Sequence, residues 1–187
     1  AALNHRDYWI MQGKYAGLKY PIILSSDLCG QLETKRVIVN PGFNWGDNPL
    51  HQSKAFNILG LPKDGSLAEK VSVHKDYIYD APEHLSDAEA AALPLAGITA
   101  YRALVTRGEG RPSQKVFITG IGGGVALTVL QFALALNMDV YVSSSSDEKI
   151  QKAIQHGATA GINYKNSDWE KTFLSEHGEM DLIIDSA

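Results

Sequence analysis

The stretch that most constrains how this chain can fold runs over residues 116–146. It opens with a short apolar run, Val116-Phe117-Ile118-Thr119, and passes through a glycine-rich turn. Helix-forming residues follow, with apolar positions at Val125, Val129, Phe132, Ala133 and Leu136, and a second apolar run, Val140-Tyr141-Val142, closes the stretch. The order strand, glycine turn, helix, strand is suited to holding a diphosphate. Glycine lets the backbone approach the anion, and the unpaired amides and positive dipole end of the helix face it. A Gly-x-Gly-x-x-Gly count from Gly120 meets Val125 in the third place. A looser count takes Gly122, Gly123 and Gly124 as the turn, with Ala126 packing the helix onto the strand. The turn as a whole, Gly120, Ile121, Gly122, Gly123, Gly124 and Val125, is therefore the candidate cofactor-binding segment.

The second strand bears on which nucleotide fits. A site for NAD usually places an acid at the end of that strand, on the adenosine ribose hydroxyls. Here Ser143, Ser144, Ser145 and Ser146 stand there instead, and the first acids, Asp147 and Glu148, fall where they would cap the next helix. With no carboxylate to repel a 2'-phosphate, Ser143 and Ser144 could meet that group and Lys149 could supply charge, which favours NADPH. The alternative is a solvated serine loop with Lys149 as a surface charge.

The 187 residues, with a formal net charge of -4, suit one large or two modest domains, and no basic stripe suggests a nucleic-acid partner. No apolar run approaches the roughly 18 residues of a membrane span. The single cysteine, Cys29, can form no internal disulfide, which suits a cytoplasmic setting. No leader is visible, although the chain starts in what reads as mid-domain sequence.

In chain order, residues 1–15 look helical and end at Gly13. Strands are expected over 21–24, 37–40 and 67–74, with a long irregular loop over 43–64, so the first part reads as mainly β. Ser86-Asp87-Ala88-Glu89 opens a helix, Pro94 interrupts it, and another helix is expected over 98–106. From residue 116 strands and helices alternate: 116–119, 125–136, 140–143, 147–156, 160–163, 168–177 and 182–185. That predicts a four-stranded parallel sheet covered on both faces.

The ordered set of motifs resembles the medium-chain dehydrogenase/reductase superfamily, in particular its zinc-independent branch of quinone and enoyl reductases. It comprises Leu3-Asn4-His5-Arg6-Asp7 with Gly13-Lys14-Tyr15, Pro21-Ile22-Ile23-Leu24, Gly65-Ser66-Leu67-Ala68-Glu69, Ala90-Ala91-Ala92-Leu93-Pro94-Leu95-Ala96-Gly97-Ile98-Thr99-Ala100-Tyr101, the glycine turn, and Gly157-Ala158 with Ile162-Asn163-Tyr164. The resemblance implies an α/β chain. A GroES-like β domain over 1–92 acts as the substrate domain, and a Rossmann-type doubly wound parallel sheet over 93–187 binds the dinucleotide, both incomplete here, with the active site in the cleft between them.

The departures matter as much. Zinc-dependent members have a cysteine ligand where this chain has Asn4, and a Gly-His-Glu motif where it has Ser25-Ser26-Asp27. The cysteine-rich structural lobe is missing too, so no metal site is expected. Between Glu33 and Thr34 the family has a Val-Gly turn and a further strand. The resemblance implies hydride transfer from NADPH to a quinone or enone. Tyr15 would be the proton donor or oxyanion binder, Asn4 a substrate-positioning amide, Tyr164 a contact for the 2'-phosphate, and Thr99, at a helix start, a contact near the nicotinamide. Each could instead be structural: Tyr15 and Tyr164 as packing aromatics, Thr99 as a buried hydroxyl. The competing functions are a non-catalytic NADPH-binding protein and a zinc-type alcohol dehydrogenase. The resemblance also implies a homodimer acting on a small-molecule substrate, away from nucleic acid and membranes.

Overall fold

The computed structural model describes residues 1–186, which form two compact units, one over residues 1–95 and the other from residue 96 onward.

In the first unit, helix α1 (His5–Met11) starts after Asn4, whose backbone N–H donates to the Asp7 carboxylate at 2.8 Å. Strands β1 (Cys29–Leu32) and β2 (Lys35–Val39) form an antiparallel hairpin with Leu32 opposite Lys35. The chain thus closes at Glu33-Thr34 in two residues, with Glu33 at a φ of 55°. The short strands β3 (Gly42–Phe43), β4 (Asn57–Leu59) and β5 (Pro62–Lys63) form a second sheet, and β6 (Ile78–Asp80) joins the first sheet on the far side of β2. Leu28, Val39, Phe43 and Leu59 form the core between them.

Several expectations need correction here. Residues 21–24 and 67–74 form no strand, because residues 23–25 are held by a turn: Gly65 N–H donates to Ile23, Ser66 N–H to Ser25 and Leu67 N–H to Leu24. The loop expected over 43–64 contains β4 and β5. Helix α2 (Asp87–Ala92) carries the expected capping pair, Ser86 with Glu89, but Pro94 opens helix α3 (Pro94–Tyr101) instead of interrupting one. At the first position of a helix the missing N–H of proline costs nothing. The helix expected over 98–106 is the end of α3 continued by a π-helical segment, Arg102–Arg107.

The second unit alternates β7 (Lys115–Ile118), α4 (Gly124–Ala135), β8 (Asp139–Ser144), α5 (Asp147–Gln155), β9 (Ala160–Asn163), α6 (Trp169–His177) and β10 (Leu182–Ile184). All pairs are parallel and the strand order is β10-β7-β8-β9. This is the order of the first four strands of a dinucleotide-binding sheet, and it places the reversal of winding between β7 and β10. Alternation along the strands sends Val116, Ile118, Val140 and Val142 to the face covered by Ala126, Val129, Leu130 and Ala133 of α4 and Ala153 of α5. Phe117 and Tyr141 point the other way, onto Phe173 of α6. Among the described residues no helix is long and apolar enough to cross a membrane.

Candidate functional site

In the second unit the chain leaves β7 through Thr119 and turns on Gly120 and Gly122, at φ of 62° and 122°. Ile121 is buried, and its N–H donates to the Ser143 carbonyl at 2.9 Å, which ties the turn to β8. Gly123 is the extended residue before α4, and no side chain caps that helix. A Cβ on Gly123 would meet nothing closer than the Gly120 carbonyl at 3.9 Å, and one on Gly124 only Ala96 at 3.7 Å. The protein's own packing therefore does not require glycine at either place. Bare backbone at an uncapped helix start is what a diphosphate does require, so the residues present fit a dinucleotide. At Gly122 a Cβ would lie 2.9 Å from Cδ of Lys149 and 3.4 Å from its Nζ. Lys149 thus lies across the glycine turn. Val125, in the first turn of α4, is half-buried against the core.

At the end of β8, Ser143 and Ser144 are buried. The Ser144 hydroxyl accepts from Ser146 N–H at 3.2 Å, and the Ser144 carbonyl accepts from the N–H of Tyr164, which follows β9 and is exposed. The helix cap expected of Asp147 or Glu148 is made by Ser146, whose hydroxyl accepts from Lys149 N–H. Asp147 instead accepts from Asn163 and Glu148 pairs with Lys152, because an N-cap hydroxyl reaches the orphan amide and leaves both acids to side-chain partners. Thr99 lies late in α3 and is exposed, so it is neither at a helix start nor buried. A pair not singled out from the sequence marks the winding reversal: the Thr119 hydroxyl donates to Asp185 at 2.6 Å, just past the ends of β7 and β10. A polar residue directly after each apolar run was the available signal.

The first unit gathers a second set of polar groups. Asp7, Ser25, Ser26, Asp27 and Ser66 are all buried. Asp7 accepts from the Ser25 N–H at 2.9 Å, and Ser25 sits in the left-handed region at a φ of 72°, an unusual conformation for a side chain other than glycine or asparagine. Its hydroxyl donates to the Ala2 carbonyl, and the Ser66 hydroxyl donates to the Asp27 carbonyl at 2.6 Å. Arg6 donates to the Ser26 hydroxyl and to the Leu59 and Leu61 carbonyls, and its guanidinium lies over the Tyr15 ring, 5.4 Å from the centroid. Asn4 Nδ2 donates to Asp27 Oδ2 at 2.8 Å. The other Asp27 oxygen accepts from Leu95 N–H at 2.8 Å. Burial, the strongest influence, pushes the Asp27 carboxyl up to about 6, against the hydrogen bonds from Asn4 and Leu95 that favour its charge.

The resemblance singled out Asn4 and Tyr15 one by one as catalytic candidates and took Ser25-Ser26-Asp27 only as a departure. The structure links Asn4 to Asp27, and links Tyr15 to Ser26 through Arg6. For zinc the donors do not fit. Asn4 and Ser26 offer a neutral amide and a hydroxyl, Asp27 is already held by two donors, and among the described residues no three His, Cys, Asp or Glu side chains gather.

The alcohol dehydrogenase GroES-like domain family matches residues 1–83, and the zinc-binding dehydrogenase family matches residues 124–187. The chain belongs to the medium-chain dehydrogenase/reductase superfamily. It is 40% identical to the zinc-type alcohol dehydrogenase-like protein YogA of Leptosphaeria maculans, over 100% of this chain and 60% of that protein. Among solved structures, an NAD-dependent alcohol dehydrogenase is 28% identical at a TM-score of 0.91, over 100% of this chain and 60% of that one. The quinone oxidoreductase of Thermus thermophilus, solved also in complex with NADPH, is 27% identical at a TM-score of 0.75, over 97% of this chain and 53% of that one. The chain thus spans 53–60% of the length of these three relatives. Membership in this superfamily agrees with the GroES-like and Rossmann-type folds of the two units.

Proposed function

We propose that this chain is part of a zinc-independent reductase that carries hydride from NADPH to the electron-poor carbon of a quinone or an α,β-unsaturated carbonyl. The observation behind this reading is the Asn4–Asp27 pair. At the place where zinc-dependent members hold their metal, the chain has a carboxamide fixed by a buried carboxyl, a group that binds a substrate oxygen by hydrogen bonding. Bound nicotinamide dinucleotide supplies the hydride. The chain's residues do the rest. The glycine turn and the start of α4 receive the diphosphate, the serines ending β8 leave a 2'-phosphate unopposed by a carboxylate, and Lys149 supplies that phosphate with positive charge. Asn4 holds the acceptor oxygen. Tyr15, whose hydroxyl has no partner among the described residues, gives it a proton. The Thermus quinone oxidoreductase supports this reading. The likeness to an NAD-dependent alcohol dehydrogenase favours a second one, NAD with alcohol oxidation, and the same experiment separates them.

In a fluorescence titration the protein is expected to bind NADPH more tightly than NADH. Lys149→Ala should weaken NADPH binding about tenfold with little effect on NADH, the size of one lost charge contact. Equal affinities would remove the argument from the serines and Lys149. With a simple quinone or enal present, NADPH consumption should fall about a hundredfold in Tyr15→Phe, the loss of one general acid. Binding without turnover over a broad acceptor panel would point to the non-catalytic NADPH-binding alternative, and stoichiometric zinc in the purified protein to the alcohol dehydrogenase one.

A further inference from the structure

Asp27 is fully buried, and each of its oxygens has one fixed neighbour: Oδ1 faces the Leu95 N–H and Oδ2 faces the Asn4 carboxamide, both at 2.8 Å. A backbone N–H can only donate, so Oδ1 must remain an acceptor whatever the pH. A proton taken up by Asp27 leaves that bond undisturbed when it sits on Oδ2, the oxygen that faces Asn4. A carboxamide is an acceptor at one end and a donor at the other, and it can receive a hydrogen bond from a protonated Oδ2 by turning through half a revolution.

We infer that Asp27 is a positioning residue whose proton decides which end of the Asn4 carboxamide is presented to the substrate. Ionised, it accepts from Nδ2; protonated, it donates to Oδ1 and turns the NH2 group outward. The inference rests on the reading of Asn4 as the amide that holds the acceptor oxygen. As that oxygen gains negative charge during reduction it needs donors, so the protonated state of Asp27 is the active one. The proton stays on Asp27 throughout and no bond to substrate is made. The charged groups facing Asp27 are Asp7 and Arg6, both from α1. Asp7 favours the protonated form, Arg6 opposes it, and burial, the largest influence, brings the change near pH 6.

Two readouts test this on the whole chain. In a nitrogen-15 labelled sample the Asn4 side-chain NH2 resonances, assigned through Asn4→Ala, are expected to titrate with a midpoint near pH 6 in the native sequence and to stay fixed in Asp27→Asn. In that variant the new amide keeps its oxygen on Leu95 N–H and gives its NH2 to Asn4 Oδ1, mimicking the protonated state. In turnover, kcat/KM is expected to fall about tenfold per pH unit above the midpoint, and Asp27→Asn should flatten that limb. Asn4 resonances that do not move between pH 5 and 8, or a variant that keeps the native limb, would overturn the inference. If no acceptor is turned over, the proposed reductase fails while the amide titration still decides this one.

Discussion

Gly65→Ala is expected to unfold the first compact unit. A Cβ at this position would lie 2.2 Å from the Ser25 carbonyl oxygen and 2.3 Å from that of Leu24, and both obstacles are backbone. Neither carbonyl can withdraw, because each already accepts from the segment that carries the substitution, Ser25 from Ser66 N–H and Leu24 from Leu67 N–H. Displacing Ser25 would also pull on the Asp7 and Ser66 hydrogen bonds that hold it in its left-handed conformation. Overpacking against flexible side chains costs about 1 to 3 kcal/mol. Against backbone inside a buried polar network the loss should exceed about 3 kcal/mol, a large part of a small domain's stability. Gly17→Ala is the control: at a φ of 69° with nothing within 4 Å, it should lose only the left-handed backbone penalty of about 1 kcal/mol. Denaturant titrations of both variants check this, and a Gly65→Ala protein with a native midpoint would show the contact to be soft.

The same segment marks how far the sequence could be read. The parallel sheet was legible because each of its elements carries a local signal: apolar runs of strand length, a glycine turn and helices of matching period. All four strands and three helices lie where those signals place them. The first unit was less legible. Its strands β3, β4 and β5 are two or three residues long, too short for alternation to register, and residues 23–25 are held by single bonds from a distant turn. Asn4 and Tyr15 came into view through the motif order alone. The role of Asp27 could not, since its importance lies in burial and in an N–H from Leu95, sixty-eight residues away. Arg6, which brings Tyr15 and Ser26 to one guanidinium, was hidden for the same reason: the partners of a long side chain are set by tertiary packing, on which local spacing is silent.

The second large effect concerns stability against pH, and its sign is the reverse of the usual carboxylate. Most acids in folded proteins titrate below their unfolded value and stabilise as pH rises. Asp27 is raised from 3.8 to about 6. Between those two values the folded chain holds more protons at this site than the unfolded chain, so unfolding free energy falls as pH rises through the window and levels off above it. At about 1.4 kcal/mol per unit the full loss comes to about 3 kcal/mol, an upper figure because the folded site can relax around the charge. Glu89 and Glu148, lowered by bonds from Ser86 and Lys152, run in the opposite direction, but both are exposed and contribute little. A cycle isolates Asp27. Denaturant unfolding of the native chain and of Asp27→Asn, each at pH 4.5 and pH 7, cancels the groups common to both. The native chain is expected to lose about 2 kcal/mol more than the variant on going to pH 7. Parallel losses would mean that Asp27 titrates as an ordinary carboxylate, and the switch at Asn4 would then lie far below the pH at which the protein could use it.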